Sequence, residues 1–292
     1  MKCLSTMFVL LFCLLPAAAY LVLAASDENN GGATMERSAL AEKKMLELFG
    51  NVQSSLEATD PDFIAMHDRL LYGEIAWQGS LDDKMKELIT LVVLTTEQTL
   101  DGIRRHTEAA LRMGATPVEI KEALYQCAPY IGFPKTEEAL RLVNEVFAEK
   151  KLPLPLESQG TTSEANRFSD GLCVQKAIFG NMIDRMHETT PENQKSIVRD
   201  YLSAFCFGDI YTRKGLGLNS RELLTFCILS TLGGCEAQVR AHVQGNLNVG
   251  NRKEHLIDAL ALCMPQIGFP RTLNALNCIN AVIPETDSSQ KN

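Results

Sequence analysis

The chain has 292 residues, of which 36 are acidic and 28 basic, so its formal net charge is −8 at pH 7. An acidic chain with no basic stripe and one tryptophan disfavours nucleic acid as a partner. The length favours two domains.

The first 24 residues have the pattern of a secretory signal peptide. Lys2 precedes an apolar run over residues 7–15, and small residues then lead to Ala24, where we expect cleavage. An uncleaved anchor helix is the alternative, because the apolar stretch nearly reaches the ~20 residues that span a bilayer, but Pro16 interrupts it. The sequence therefore predicts a secreted or periplasmic protein with no stable membrane span after cleavage.

The second half of the chain repeats the first, and one long matched stretch has no gap. Stretches beginning at His106 and His242 keep one offset (242 − 106 = 136) as far as a shared Ile-Gly-Phe-Pro sequence at Ile131 and Ile267. Repetition of this kind indicates two copies of one unit, each with a histidine at the same place.

Composition places the boundaries between these units. We expect the first copy to span residues 35–150 and the second to span residues 165–284. Residues 151–164 between them have the Pro, Gly and Ser content of a linker, and residues 285–292 form a polar tail.

Both copies have helical periodicity throughout. Gly114 and Gly250 are natural stops for the histidine helix, and Thr116 followed by Glu119 is a capping-box pattern for the next one. Several helices are apolar on more than one face, which implies burial against a neighbour. We therefore predict an all-α fold whose copies pack about a pseudo-twofold axis, as subunits of a homodimer would, and further assembly into a homo-oligomer.

The cysteines give a mixed signal. An exported protein can form disulfides, but an odd number of cysteines leaves at least one thiol unpaired within a monomer. Most of them lie in apolar helical sequence, which favours a role as small core residues. The seven cysteines that follow the signal peptide are Cys127, Cys173, Cys206, Cys227, Cys235, Cys263 and Cys278.

A glutamate-containing helix, a helix ending in His and Gly, and a closing Gly-Phe-Pro turn together resemble the carboxymuconolactone decarboxylase family. Its superfamily also contains the alkylhydroperoxidase D-like proteins. The resemblance covers residues 60–148 and 195–283, and residues 236–242 and 274–277 are similar to the decarboxylase branch. It implies two tandem alkylhydroperoxidase D-like helical domains.

The family motif places two cysteines ahead of the histidine, and this chain keeps one. Cys235 and Gln238 occupy these positions before His242, on one expected stripe of a helix. A peroxide-reducing site needs a resolving thiol, which Gln238 cannot supply, so Cys235 would need a partner such as Cys263 or another chain. A packed helical cysteine is the structural alternative.

Acid/base chemistry needs a different set of residues. His242 is the first candidate for the proton-transfer group, and His106 is its equivalent in the other copy, because histidine titrates near neutrality. The resemblance implies a glutamate that approaches this histidine, a position matched by Glu222 and by Glu87 (222 − 87 = 135). The structural alternatives are hydrogen-bonded core histidines and exposed glutamates near a helix start.

The resemblance implies a lyase that decarboxylates a small carboxylated lactone or related acid, with neither a metal nor an organic cofactor. Two alternatives stay open: a thiol oxidoreductase that uses Cys235, and a non-catalytic binding protein that kept the fold after duplication. The histidine spacing matches no zinc site. An anionic substrate would need a cation. The candidates are Arg221, Arg240, Arg271, Lys86, Arg104, Arg105 and Lys135.

Overall fold

The computed structural model describes residues 36–51 and 54–284, so the predicted signal peptide and polar tail lie outside the described residues. Helices, turns and irregular segments make up the described part, without a β-strand, which confirms the all-α prediction. Within that part, no helix has the length and apolar character needed to cross a membrane.

The first copy consists of short and medium-length helices with two single 3-10 turns, Ile75–Trp77 and Leu100–Gly102. Its α-helices are α1 (Arg37–Phe49), α2 (Pro61–Leu71), α3 (Asp83–Glu97), α4 (Ile103–Arg112), α5 (Pro117–Tyr125), α6 (Ala128–Ile131) and α7 (Phe133–Glu149).

The second copy follows the same plan, with one helix of π-type winding, π1, and one 3-10 turn at Glu192–Gln194. Its helices are α8 (Arg167–Phe179), α9 (Met182–Thr189), π1 (Ser196–Tyr211), α10 (Leu218–Leu232), α11 (Glu236–Asn248) and α12 (Lys253–Val282).

The repeated Ile-Gly-Phe-Pro sequence has the same backbone conformation in both copies. Gly132 has φ of 87° and Gly268 has φ of 76°, a region that residues with a Cβ rarely adopt. Gly132 separates α6 from α7, and Gly268 kinks α12 internally. Helix α12 is therefore the counterpart of α5, α6 and α7 together.

Equivalent ion pairs in the two copies also show the internal symmetry. In the first copy, Arg37 at the start of α1 forms an ion pair with Glu74. In the second, Arg167 at the start of α8 donates from Nε to Asp209 Oδ1 over 2.9 Å. The same charge pair thus ties the first helix of each copy to the segment before the glutamate helix.

The two copies share one hydrophobic core. Leu91 and Val92 of α3 are fully buried in the same cluster as Leu224 and Phe226 of α10. Helix α3 packs against α10 and α12, so each copy completes the core of the other. The described residues accordingly belong to one compact unit.

Residues 151–164, which we call the strap, connect the copies along the surface. Leu152 and Leu156 pack against the core, and Gln159 accepts a 2.9 Å hydrogen bond from the backbone N–H of Lys214. The strap is therefore packed against the surface and held there by specific contacts at several points.

Candidate active site

Glu222 and His242 come together between two helices of the second copy. Glu222 lies on α10 and His242 on α11, and His242 Nδ1 is 2.9 Å from Glu222 Oε2. Glu222 is fully buried and His242 is 8% exposed. An ionised carboxylate can only accept, so Nδ1 is the donor of this bond when Glu222 is ionised. Among the described residues, nothing hydrogen-bonds the other ring nitrogen, Nε2, which is free for proton exchange.

Aromatic rings enclose His242. Phe179 meets the imidazole in an edge-to-face contact with ring centroids 5.1 Å apart, and Tyr130 does so at 5.9 Å. Tyr130 belongs to the first copy, on α6. The surroundings of His242 are therefore apolar and are built from both copies.

A chain of buried hydrogen bonds, which we call the relay, supports Glu222 from behind. Tyr211 donates to Glu222 Oε1 over 2.7 Å, and Thr225 Oγ1 lies 2.8 Å from the Tyr211 hydroxyl. Gln126 of the first copy donates to Thr225 over 3.0 Å, and Arg221 donates to Gln126 over 3.1 Å. Because Tyr211 has one hydroxyl proton and donates it to Glu222, Thr225 is the donor to Tyr211, and the protons of the relay point towards Glu222.

Burial sets the protonation of the relay. It raises the pKa of Tyr211 well above that of an ordinary phenol, and the nearby negative charge of Glu222 adds to the effect. Burial also raises the pKa of Cys206 to about 12, and its Sγ lies 3.9 Å from the Tyr130 hydroxyl. Tyr211 therefore keeps its proton at neutral pH and remains a donor to the carboxylate.

The first copy holds the same carboxylate–imidazole pair. His106 Nδ1 is 2.8 Å from Glu87 Oε2, and Phe49 meets the imidazole edge-on with centroids 5.3 Å apart. Glu87 is only 4% exposed. Neither Glu87 nor Glu222 is thus an exposed helix-start residue, and the approach of glutamate to histidine implied by the resemblance occurs in both copies.

The two sites differ in what supports the carboxylate. Ala76 stands where the second copy has Tyr211 (211 − 76 = 135), and Leu262 stands where the first copy has Gln126 (262 − 126 = 136). Leu262 lines a cavity at the first site, just as Gln126 reaches the second site from the other copy. Aliphatic groups at the first site thus replace two members of the relay.

A lysine takes part in the first site. A small cavity of about 20 Å³, roughly the room that one water needs, is lined by His106, Glu87 and Lys86. Lys86 Nζ donates to the carbonyls of Ala76 at 2.6 Å and Gln78 at 3.2 Å. No carboxylate forms an ion pair with it in the described part of the chain. Burial lowers the pKa of Lys86.

The equivalent cation of the second copy is already neutralised. Arg221 corresponds to Lys86 (221 − 86 = 135), is fully buried and donates to Glu122 Oε2 over 2.8 Å. A buried charge that already has its counter-ion and hydrogen bonds gains little from a second anion. Of the two, Lys86 is the better placed to receive an anionic ligand.

The model of the carboxymuconolactone decarboxylase family matches residues 61–145 and residues 198–281, which together make up more than half of the chain. The chain belongs to this family. Each matched segment contains one glutamate–histidine pair, so the family match accounts for both copies.

Individual relatives agree with this assignment. Over 95 residues the chain is 30% identical to a 4-carboxymuconolactone decarboxylase of Acinetobacter baylyi, covering 32% of this chain and 71% of that protein. Over 69 residues it is 32% identical to a nitrosuccinic acid decarboxylase of Metarhizium robertsii, covering 24% of this chain and 48% of that protein.

A solved structure supports the fold. It is described as a gamma-carboxymuconolactone decarboxylase subunit from Burkholderia xenovorans and superposes with a TM-score of 0.50 at 21% identity. The superposition covers 85% of this chain and 98% of that one. At this identity the match supports the architecture alone.

The cysteine position of the family motif lies apart from the pair. Helix α11 begins at Glu236, and Cys235 precedes it with φ of −130° and ψ of 42°, so the expected helical stripe with His242 is wrong for Cys235. Its Sγ donates to the carbonyl of Leu229 over 3.2 Å. Burial raises the pKa of Cys235, and the charges of Glu236 and Cys278 add to the effect.

Among the other thiols, Cys278 lies close enough for its charge to act on Cys235. Cys263, suggested by the sequence as a resolving partner, lies fully buried beside Cys227. All cysteines of the described residues are free thiols, and most are buried, as predicted. In the same part of the chain, no three His, Cys, Asp or Glu side chains gather as metal ligands.

Sequence reasoning missed Tyr211, Thr225, Gln126 and Tyr130. A weak signal existed for Gln126, because it is a polar residue between the apolar Leu124 and Cys127. Tyr130 and Gln126 reach the second site from the first copy, and no local pattern reveals contacts of that kind.

Proposed function

We propose that this protein is a cofactor-independent lyase that decarboxylates a small carboxylated lactone or related acid. The observation that carries the proposal is the buried carboxylate–imidazole pair, present in both copies at 2.8 Å and 2.9 Å. Relatives named as decarboxylases support the same reaction class.

The reaction needs one proton and no redox partner. The bond between a ring carbon and the carboxylate carbon breaks, carbon dioxide leaves, and the electron pair stays on the substrate as a conjugated enolate. A protonated imidazole then donates its Nε2 proton to a carbon of this enolate, and solvent later returns a proton to the imidazole. His242 and His106 are the proton donors in this scheme.

The other residues hold these groups in place. Glu222 and Glu87 accept from Nδ1, which fixes each ring and directs Nε2 towards the substrate. At the first site, the ammonium of Lys86 receives a carboxylate of the substrate. The cavity there is smaller than a lactone acid, so binding requires side chains to move apart.

The test is carbon dioxide release from 4-carboxymuconolactone by the mature protein and by His106→Gln, His242→Gln and the double variant. Loss of a general acid lowers a rate by about 100-fold or more, so the double variant should be almost inactive. The single variants then show how much each copy contributes. His187→Gln is the control, because His187 lies on α9 and its charged neighbours do not include a member of either pair.

Each variant is compared with the wild type by circular dichroism, so that a loss of rate in a folded protein can be assigned to chemistry. Undiminished release by the folded double variant would remove both histidines from the mechanism. No release by the wild type would exclude this substrate and the reaction proposed for it.

A further inference from the structure

A second cavity, of about 520 Å³, lies between the strap and helices α5 and α7, outside both glutamate–histidine sites. Its volume is within the range of small-molecule sites, roughly 300–1,000 Å³. Part of its wall is apolar, formed by Val118 on α5 and by Leu154, Pro155 and Leu156 on the strap. The rest is polar and contains two cations.

The first cation is Lys121, a buried ammonium. Lys121 is 8% exposed, lines the cavity and donates to Asn144 Oδ1. No carboxylate of the described residues forms an ion pair with it, and burial lowers its pKa. Burying a charge without a counter-ion is unfavourable, and a bound anion would remove that penalty.

The second cation is Arg213. It donates from Nε to both oxygens of Glu122 over 3.0 Å, and its guanidinium lies 5.2 Å from the ring centroid of Tyr125. Glu122 also neutralises Arg221, so one carboxylate serves two guanidiniums. Counting Arg221 behind the wall, three cations stand against two carboxylates, Glu122 and the exposed Glu157, which leaves one positive charge in excess.

We propose that this cavity binds a small organic carboxylate. The carboxylate group lies near Lys121 and Arg213, and the apolar part lies against Leu156 and Pro155. The second copy has Ile257 at the position of Lys121 (257 − 121 = 136), so this ammonium has no equivalent in the second copy. The site is separate from the proposed decarboxylation sites.

Isothermal titration of the mature protein with benzoate tests this proposal, with inorganic phosphate as an anion that has no apolar part. Benzoate should bind the wild type. Replacing Lys121 by Met should weaken benzoate binding about tenfold or more, because the variant loses a charged hydrogen-bond donor to the carboxylate. Lys135→Met is the matched control, because Lys135 is exposed on α7 and does not line the cavity.

The control should bind benzoate as the wild type does. Equal binding by the wild type and Lys121→Met would overturn the proposal, as would no benzoate binding by the wild type. If phosphate bound as strongly as benzoate and depended on Lys121 to the same extent, the choice of an organic carboxylate would be overturned. If Lys121→Met does not fold, Lys121→Gln, which keeps a polar group near Asn144, makes the same comparison.

Discussion

The carboxylate groups of Glu222 and Glu87 differ in the number of donors that hold them. Glu222 accepts from His242 and Tyr211, whereas Glu87 accepts from His106 alone among the described residues. Each donor restricts the carboxylate further, and a fixed carboxylate fixes the imidazole that it orients. The second site is therefore the more preorganised, and the first has the better cation in Lys86.

Cys235 provides a test of the thiol oxidoreductase alternative at the level of one residue. Its raised pKa means that the thiol keeps its proton at neutral pH, and the thiolate is the reactive form. We expect iodoacetamide to label Cys235 more slowly than the exposed Cys173 at pH 7. Labelling of Cys235 should accelerate as pH rises, and it should still be accelerating at pH values above the ordinary pKa of a thiol.

Mass spectrometry of peptides after short pulses of reagent measures both rates in one sample. Labelling of Cys235 at neutral pH as fast as that of Cys173 would contradict the expectation and would revive the peroxidase-like alternative.

The sequence predicted the residues of each pair but not their support. Glu222 and His242 were identifiable because both recur at matched positions in the other copy. The stripe with Cys235 was wrong because α11 begins one residue later, a boundary that periodicity cannot place. Gln126 was out of reach because its contact with Thr225 joins residues from different copies.

At the level of elements, Gly245 of α11 faces the side chain of Glu222 on α10. A Cβ at Gly245 would lie 2.5 Å from Glu222 Oε2 and 3.0 Å from Ile178 Cγ2. Gly→Ala inside a helix normally stabilises a protein by about 0.5–1 kcal/mol. Here overpacking should reverse the sign, so we expect Gly245→Ala to lower the free energy of unfolding by about 1–3 kcal/mol.

Urea denaturation measures this change, and Gln244→Ala is the control because Gln244 is the exposed neighbour on the same helix. Movement of Glu222 should also alter the NMR signals of the His242 ring. Gly245→Ala with wild-type stability and unchanged His242 signals would mean that α10 and α11 can separate without loss.

At the scale of the whole molecule, the shared core predicts one unfolding transition for both copies. Phe226 is fully buried in the second copy, and the single tryptophan, Trp77, reports on the first. Phe226→Ala should destabilise the protein by about 3–5 kcal/mol. Because the core is continuous, tryptophan fluorescence and far-ultraviolet circular dichroism should shift together.

Phe269→Ala is the matched control, because Phe269 lies in the same copy and is 63% exposed. Phe269→Ala should leave the midpoint of the unfolding transition nearly unchanged. If the Trp77 fluorescence transition had the same midpoint in Phe226→Ala as in the wild type, the two halves would unfold independently.

Helical periodicity was enough to predict an all-α molecule, and the repeat was enough to predict two matched halves, because matched sequence implies matched structure. The Gly-Phe-Pro turn of each copy occurs at Gly132 and Gly268. The composition of the strap predicted a linker, and a linker composition does not indicate that the segment packs over α5 or that a cavity lies beneath it.

Gln126 and Leu262 occupy equivalent positions in the two copies, and the difference between them has an evolutionary consequence. In a symmetric dimer of identical chains, one codon change alters both sites at once, so an improvement at one is imposed on the other. In a fused chain the two positions are separate codons. Polar Gln126 reaches one histidine site and aliphatic Leu262 lines the other, so the duplicated halves have already diverged at a position that a dimer must keep identical.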